Sequence, residues 1–152
     1  MQAQALSVTV AWLRLERAHA AYARELRARF GISPLQLSVL ALLAERGRMK
    51  LAALRLALDM HAATLGQAVD GLRRKGLCLV RTDAEDRRAR LVLLTEAGRA
   101  VLAAAPKAGP VRLRDTRVAP ERLELLAESL ADAMAMFGLD AFSPDKPGAM
   151  GS

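Results

Sequence analysis

The chain has 152 residues, of which 53% are hydrophobic, 26% charged and 3% aromatic; that is the size of one domain with appendages, too short for two enzyme domains around a shared cleft. Its 31 alanines and 27 leucines form a helix-former's composition, which excludes a β-sandwich, rich in Val, Ile, Thr and aromatics, and a disordered chain, poor in apolar residues. Of the net charge of +7, residues 46–99 carry +6, so the basic excess belongs to the middle third, either as a surface made for phosphates or as a solvated basic face.

Residues 7–30 read as a long helix. Its apolar positions Val8, Trp12, Leu15, Tyr22 and Leu26 recur at about 3.5 residues, and the same stripe passes through His19. Gly31 is placed to stop this helix, and Ser33-Pro34 to restart the chain as N-cap and first residue of a second one, ending before Gly47. That second helix buries Leu35, Val39, Leu40 and Leu43. A short third helix covers Leu51 to Leu58 with Leu51, Leu54 and Leu58 inward, and a fourth covers residues 62–75, closed by Gly76. On the fourth, Leu65, Val69 and Leu72 point one way, while Ala63, Thr64, Gln67, Asp70 and Arg74 point the other. The outward face is small and polar first, basic later, a shape suited to close approach to a groove.

After Gly76 the period changes. Leu77 to Arg81 and Ala89 to Leu94 read as two strands joined by the polar connector Thr82 to Arg88. Thr95-Glu96 opens another helix, 96–105, interrupted by Pro106 and Gly109-Pro110. Val111 to Val118 carries no clear period and its path stays open, with extended chain as one reading. A last helix, Pro120 to Phe137, carries Leu123, Leu126, Leu130, Met134 and Phe137 on one stripe. Residues 139–152 are expected to be a disordered tail rich in Pro and Gly. The fold class is therefore mainly α with a small β-hairpin, and a hairpin directly after a tri-helical unit is the plan of a winged helix-turn-helix.

Several chemistries lack their residues. Cys78 is the single cysteine, which leaves no intrachain disulfide, and with only His19 and His61 beside it there is no CxxC or HExxH cluster. GxGxxG, GxxxxGK[ST] and GxSxG are also absent. No cofactor or metal is expected, and no enzyme activity, since no paired carboxylates or nucleophile and base stand at a recognisable spacing. Charges interrupt every hydrophobic run, so no membrane span is expected and the protein should be soluble and cytoplasmic.

Gly76-Leu77, then Asp86-Arg87-Arg88, then Leu94-Thr95-Glu96-Ala97-Gly98, preceded by Ser33-Pro34-Leu35-Gln36 with Val39-Leu40 and by Thr64 eight residues before Leu72, together resemble the MarR family of bacterial transcriptional regulators. The likeness spans about residues 32–100. It implies a homodimer of winged helix-turn-helix lobes (32–95) joined by dimerisation helices (1–31 and 96–138), binding double-stranded DNA at pseudo-palindromic operators and usually repressing. The resemblance places Ala63, Thr64 and Gln67 against base edges in the major groove, where Gln pairs with adenine and Thr meets either a base or the thymine methyl. Arg74 would contact phosphate, and Arg81, Arg87 and Arg90 the backbone. Arg88 would enter the minor groove, with Asp86 holding it in place. Val80 departs from the pattern, standing where a basic residue is common, and Gly66 and Gly71 stand unusually within the fourth helix.

Many relatives are released from DNA by a small aromatic carboxylate or phenol. Trp12, His19 and Tyr22 are the candidate contacts, an aromatic surface beside a group that can pair with a carboxylate; the competing reading is ordinary packing at a dimer seam. Relatives that sense oxidants use a cysteine in the first helix, and this chain has none there. Cys78 reads as a small buried hydrophobe. A helical interaction module that keeps the fold without binding DNA is the alternative function.

Overall fold

Helix α1, Ala3–Phe30, ends where Gly31 adopts φ +65° and donates its N–H to the Arg27 carbonyl, a left-handed stop that costs glycine nothing. Three residues on, α2 (Pro34–Arg46) begins with a complete capping box. The Ser33 hydroxyl accepts the Gln36 N–H, and the Gln36 side chain accepts the Ser33 N–H. Two orphan donors are satisfied reciprocally, a device that contributes about 1 kcal/mol. Leu37, Val39, Leu40, Ala41, Leu42 and Leu43 are all buried. A helix apolar all round belongs inside, and α2 packs against the helices Ala62–Arg74 and Glu96–Ala104 and against the sheet.

The computed structural model describes residues 2–143. Helices α3 (Leu51–Leu58) and α4 (Ala62–Arg74) follow, then strands β2 (Cys78–Thr82) and β3 (Arg90–Leu94), α5 (Glu96–Ala104) and α6 (Pro120–Met136). Leu65, Val69 and Leu72 are buried under α4, and Leu54 under α3 with Leu51 and Leu58 half-buried, as their periodicity predicts.

The sheet has three strands, not two. Met49–Lys50 forms β1, antiparallel to β3 with Met49 opposite Val92, giving the order β1-β3-β2. A two-residue strand has no periodicity to read, and its partner is some 40 residues away. The hairpin register pairs Cys78 with Leu94 and Arg81 with Leu91.

Two further expectations are corrected. Gly109–Arg114 is a 3-10 helix rather than extended chain, with Val111 buried against the core; that single apolar anchor tightens the turn. Leu139–Phe142, assigned to the disordered tail, is also a 3-10 turn, while residues 144–152 lie outside the described residues. Helix α1 begins four residues earlier than predicted, at Ala3, with no side-chain cap.

Gly98 fixes how α5 meets the sheet. A Cβ there would overlap the Leu77 carbonyl oxygen and approach Leu94 Cδ1 to 2.7 Å. Thr95 closes the junction from its own end, donating to the Gly76 carbonyl at 2.7 Å while accepting the Gly98 N–H at 3.0 Å.

Candidate nucleic-acid interface

Helix α4 is held from behind and open in front. Behind, the Gln36 amide donates to the Ala68 carbonyl at 3.2 Å, and a Cβ on Gly71 would come within 2.6 Å of the Gln36 nitrogen. Gly71 thus permits the close approach of α2 and α4. Gly66 is different: nothing lies within 4 Å of a Cβ built there, and it follows Ala63 by one turn on the outward face.

That outward face carries the predicted residues together. Ala63, Gln67 and Arg74 are exposed, and Thr64 and Asp70 half-buried. At the N-terminus, His61 Nδ1 accepts the Ala63 N–H at 3.2 Å, so the imidazole serves as N-cap, a role its sequence position alone did not reveal. At the C-terminal end, Asp70 accepts from Arg73 at 2.7 and 3.1 Å and pairs with Arg74 Nε at 3.2 Å. The hydrogen bond from Arg73, opposed by a smaller effect of burial and helped by the charges of Arg73 and Arg74, holds the Asp70 carboxyl below its ordinary range.

The tip between β2 and β3 is built from carboxylates that accept backbone bonds. Asp83 N–H donates to the Ala89 carbonyl at 3.0 Å, and its side chain accepts the Glu85 N–H at 3.0 Å. Asp83 is buried, and its other oxygen lies 3.7 Å from Lys50 Nζ on β1. Asp86 accepts the Arg88 N–H at 3.1 Å, and its carbonyl accepts the Ala89 N–H at 2.9 Å. Asp86 therefore meets Arg88 through the backbone, an Asx turn that fixes the main chain from which the exposed guanidinium projects. Arg81, Arg87 and Arg90 are exposed as well.

Arg88 and Arg90 return toward α4. With Lys50, Arg55, Ala62 and Leu65 they line a cleft of about 240 Å³, which also touches Leu51, Ala52 and Ala89. Four cations and no carboxylate form its walls, beside the N-terminus of a 13-residue helix. Such a surface attracts phosphate twice over, by formal charge and by the positive end of the helix. Lys50 and Arg55 were not among the residues singled out by sequence; their only signal was membership of the basic middle third.

The three α1 candidates are set apart along the helix. Trp12 meets Phe137, the C-cap of α6, edge-on, ring centroids 5.4 Å apart at 73°. Tyr22, ten residues and about 15 Å further along a helix, donates to the Pro106 carbonyl at 2.7 Å. His19 is exposed between them. A separate cleft of about 450 Å³ opens where the segment after α5 folds over α2, lined by Ala41, Ala44, Glu45, Leu102, Lys107, Val111, Arg114 and Asp115. Arg114 spans it to Glu45 at 2.9 Å, and Lys107 donates to the Leu102 carbonyl at 2.9 Å.

Cys78 faces the core. Its Sγ lies 3.7 Å from the Val69 carbonyl, and burial pushes the thiol up to about 11, against a smaller lowering by Arg73.

A family model described as the MarR family matches residues 32–89. Among solved structures, the chain is similar to the transcriptional regulator BldR from Sulfolobus solfataricus, at 27% identity over 87% of this chain and 99% of that one, with a TM-score of 0.63. It is similar also to a probable transcriptional regulator from Pseudomonas aeruginosa, at 31% identity over 78% and 92%, TM-score 0.55. A third, at 24% identity over 83% and 91% with TM-score 0.60, is BpsR of Bordetella bronchiseptica, whose DNA binding is regulated by 6-hydroxynicotinic acid. A comparison with curated protein sequences finds no match. A winged helix with a basic tip, a matching family model and a likeness to the Sulfolobus and Pseudomonas regulators over 78–87% of the chain lead to one conclusion: the chain belongs to the MarR family, and it is a DNA-binding transcriptional regulator, not an enzyme.

Proposed function

We propose that the chain represses transcription as a cytoplasmic homodimer bound to a pseudo-palindromic operator, and that a small aromatic carboxylate or phenol releases it. In this reading α4 enters the major groove, with Ala63, Thr64 and Gln67 against base edges and Arg74 on phosphate. Arg88 reaches into the adjacent minor groove, Asp86 fixes the turn that presents it, and Arg81, Arg87 and Arg90 hold the backbone. The observation that carries the reading is the carboxylate-free cleft in which Arg88 and Arg90 of the tip converge with Lys50 and Arg55 on the start of α4. The tip and the helix therefore offer one continuous basic surface to a duplex.

A second chain would cover the apolar stripes of α1 and α6. Leu6, Val8, Trp12, Leu13 and Leu15 on α1, Leu125, Leu126, Leu130 and Met134 on α6, and Phe137 at its C-cap are all exposed in the single chain. A soluble protein rarely leaves so many large apolar side chains in contact with water. Among the described residues no single helix is long and apolar enough to cross a membrane.

Effector release rests on the cleft beside α2 and on the behaviour of the similar BpsR. Its volume suits a single small ring compound. Tyr22 is tied to the segment that walls the cleft, whereas Trp12 and His19 stand outside its lining and are proposed to act from the dimer seam beside it.

Selection of bound fragments from genomic DNA tests the reading as a whole. An enriched palindromic motif, bound less tightly by Arg88→Ala, is the expected result. No enrichment, with a flat salt response, would leave the DNA-free interaction module as the function. Aromatic carboxylates, 6-hydroxynicotinic acid among them, should weaken the enriched complex, and His19→Ala should blunt that response without altering affinity in their absence.

A further inference from the structure

The outward face of α4 contains one acid among its polar and basic residues, and that acid is engaged twice. Asp70 binds both guanidinium groups of the last turn, Arg73 through two nitrogens to one carboxylate oxygen and Arg74 through Nε to the other. All three side chains are accessible, at 47%, 50% and 69%. Their spacing of three and four residues is the geometry in which helical side chains meet. The reading proposed above uses Arg74 as a phosphate contact but gives Asp70 no task, although a carboxylate facing a polyanion opposes binding.

The opposition has a use. Non-specific affinity for DNA comes almost entirely from cations placed on phosphates, and it needs no fixed register. Affinity for one site needs those cations in one geometry. A carboxylate that holds two guanidinium groups reduces the charge available to any duplex while fixing the planes of the arginines for the duplex that fits. We propose that Asp70 is a positioning residue that sets the ratio of specific to non-specific DNA affinity, by pairing with Arg73 and Arg74 at the end of α4. The proposal rests on the reading of α4 as the DNA-facing helix.

Asp70→Asn keeps the shape and removes the charge. Fluorescence anisotropy would measure binding to a random-sequence duplex and to the duplex enriched from genomic DNA, from about 0.1 to 1 M salt. One phosphate contact more steepens the slope of log affinity against log salt by about 0.9, which is about eightfold across that tenfold range. The expected result is that Asp70→Asn tightens the random duplex about eightfold at the low-salt end, steepens its slope by about one contact, and leaves the enriched duplex within about twofold, so that specificity falls. Asp70→Ser should behave alike. In an Arg73→Gln, Arg74→Gln background the Asp70 substitution should change neither slope nor affinity, because its partners are gone.

An unchanged random-duplex slope in Asp70→Asn overturns the proposal, and so does an equal gain on both duplexes. Persistence of the full effect in the double-glutamine background also overturns it, since Asp70 would then repel phosphate directly. In each of these cases the wild-type chain still binds its enriched duplex and the DNA-binding reading stands. Failure of the wild-type chain to bind either duplex overturns both.

Discussion

The lobe from α2 to β3 and the pair of helices α1 and α6 treat their apolar residues in opposite ways. In the lobe most predicted core positions are buried: Val39, Leu40, Leu43, Leu54, Leu65, Val69 and Leu72 are all at 4% exposure or less, and Leu35, Leu51 and Leu58 are half-buried against them. In α6 no residue is buried, and in α1 only Leu26 is. Both regions carry the same kind of stripe, leucine-rich and helical in period. The stripe alone therefore does not say what covers it; the lobe covers its own, and the proposed homodimer supplies the cover for the other. On that proposal, stability of the lobe is a property of one chain, whereas order at α1 and α6 depends on how much protein is present.

Paired substitutions break or confirm this contrast. Leu72→Ala, in the lobe, is expected to cost about 2–5 kcal/mol by leaving a cavity and to lower Tm equally at every protein concentration. Leu130→Asp, on the exposed stripe of α6, should hardly change the melting of dilute protein but abolish the concentration dependence of Tm, and sedimentation should show the single chain. Equal loss of Tm from both at all concentrations would erase the distinction between the regions.

Next in size is Gly98→Ala. The added methyl meets backbone at the Leu77 carbonyl, which has no rotamer through which to yield, and the expected loss is about 1–3 kcal/mol. Denaturant unfolding measures it, and a neutral result would mean that α5 can shift off the sheet freely. Gly66→Ala sharpens the contrast within the lobe itself. Open space and a better helix former should stabilise by up to about 1 kcal/mol, yet the methyl stands on the outward face of α4 and should weaken DNA binding. A rise in Tm with full operator affinity would show that this turn stays clear of the groove.

The smallest effect concerns Cys78. Its thiol, pushed up to about 11 by burial, stays protonated in the folded lobe at neutral pH, so a thiol reagent should label it only through opening. The sign follows from the raised value. Its contribution to stability is complete below the unfolded thiol's range of about 8.5 and declines as pH rises toward 11. Rapid labelling of the folded chain at neutral pH would contradict the burial.

Most of the lobe was legible because its signals are local. Ser33 with Pro34, Gly31, Gly76 and the N-cap bond of Thr95 to Gly98 act within four residues of themselves, and α3 appears at its predicted bounds. What escaped depends on distant chain. Met49–Lys50 is a strand only because β3 lies beside it, and Gly109–Arg114 winds into a 3-10 turn with Val111 anchored in the core. At the site, the outward face of α4 was readable from a helical wheel. The convergence of Lys50 and Arg55 with Arg88 and Arg90 was not, since the tip must first fold back toward α4. Trp12 and Tyr22 illustrate the converse: one stripe on a wheel, yet two helical turns and more apart along the axis, with different neighbours.

The salt dependence of operator binding tests the central claim most directly. Four arginines per chain, Arg74, Arg81, Arg87 and Arg90, are assigned to phosphates or the backbone, and two chains bind one operator. Neutralising that many phosphates gives a slope of log affinity against log salt of about −7, reduced by about two when Arg90→Gln removes one contact from each chain. A slope near zero, or one that Arg90→Gln leaves unchanged, would contradict the assignment of this surface to DNA.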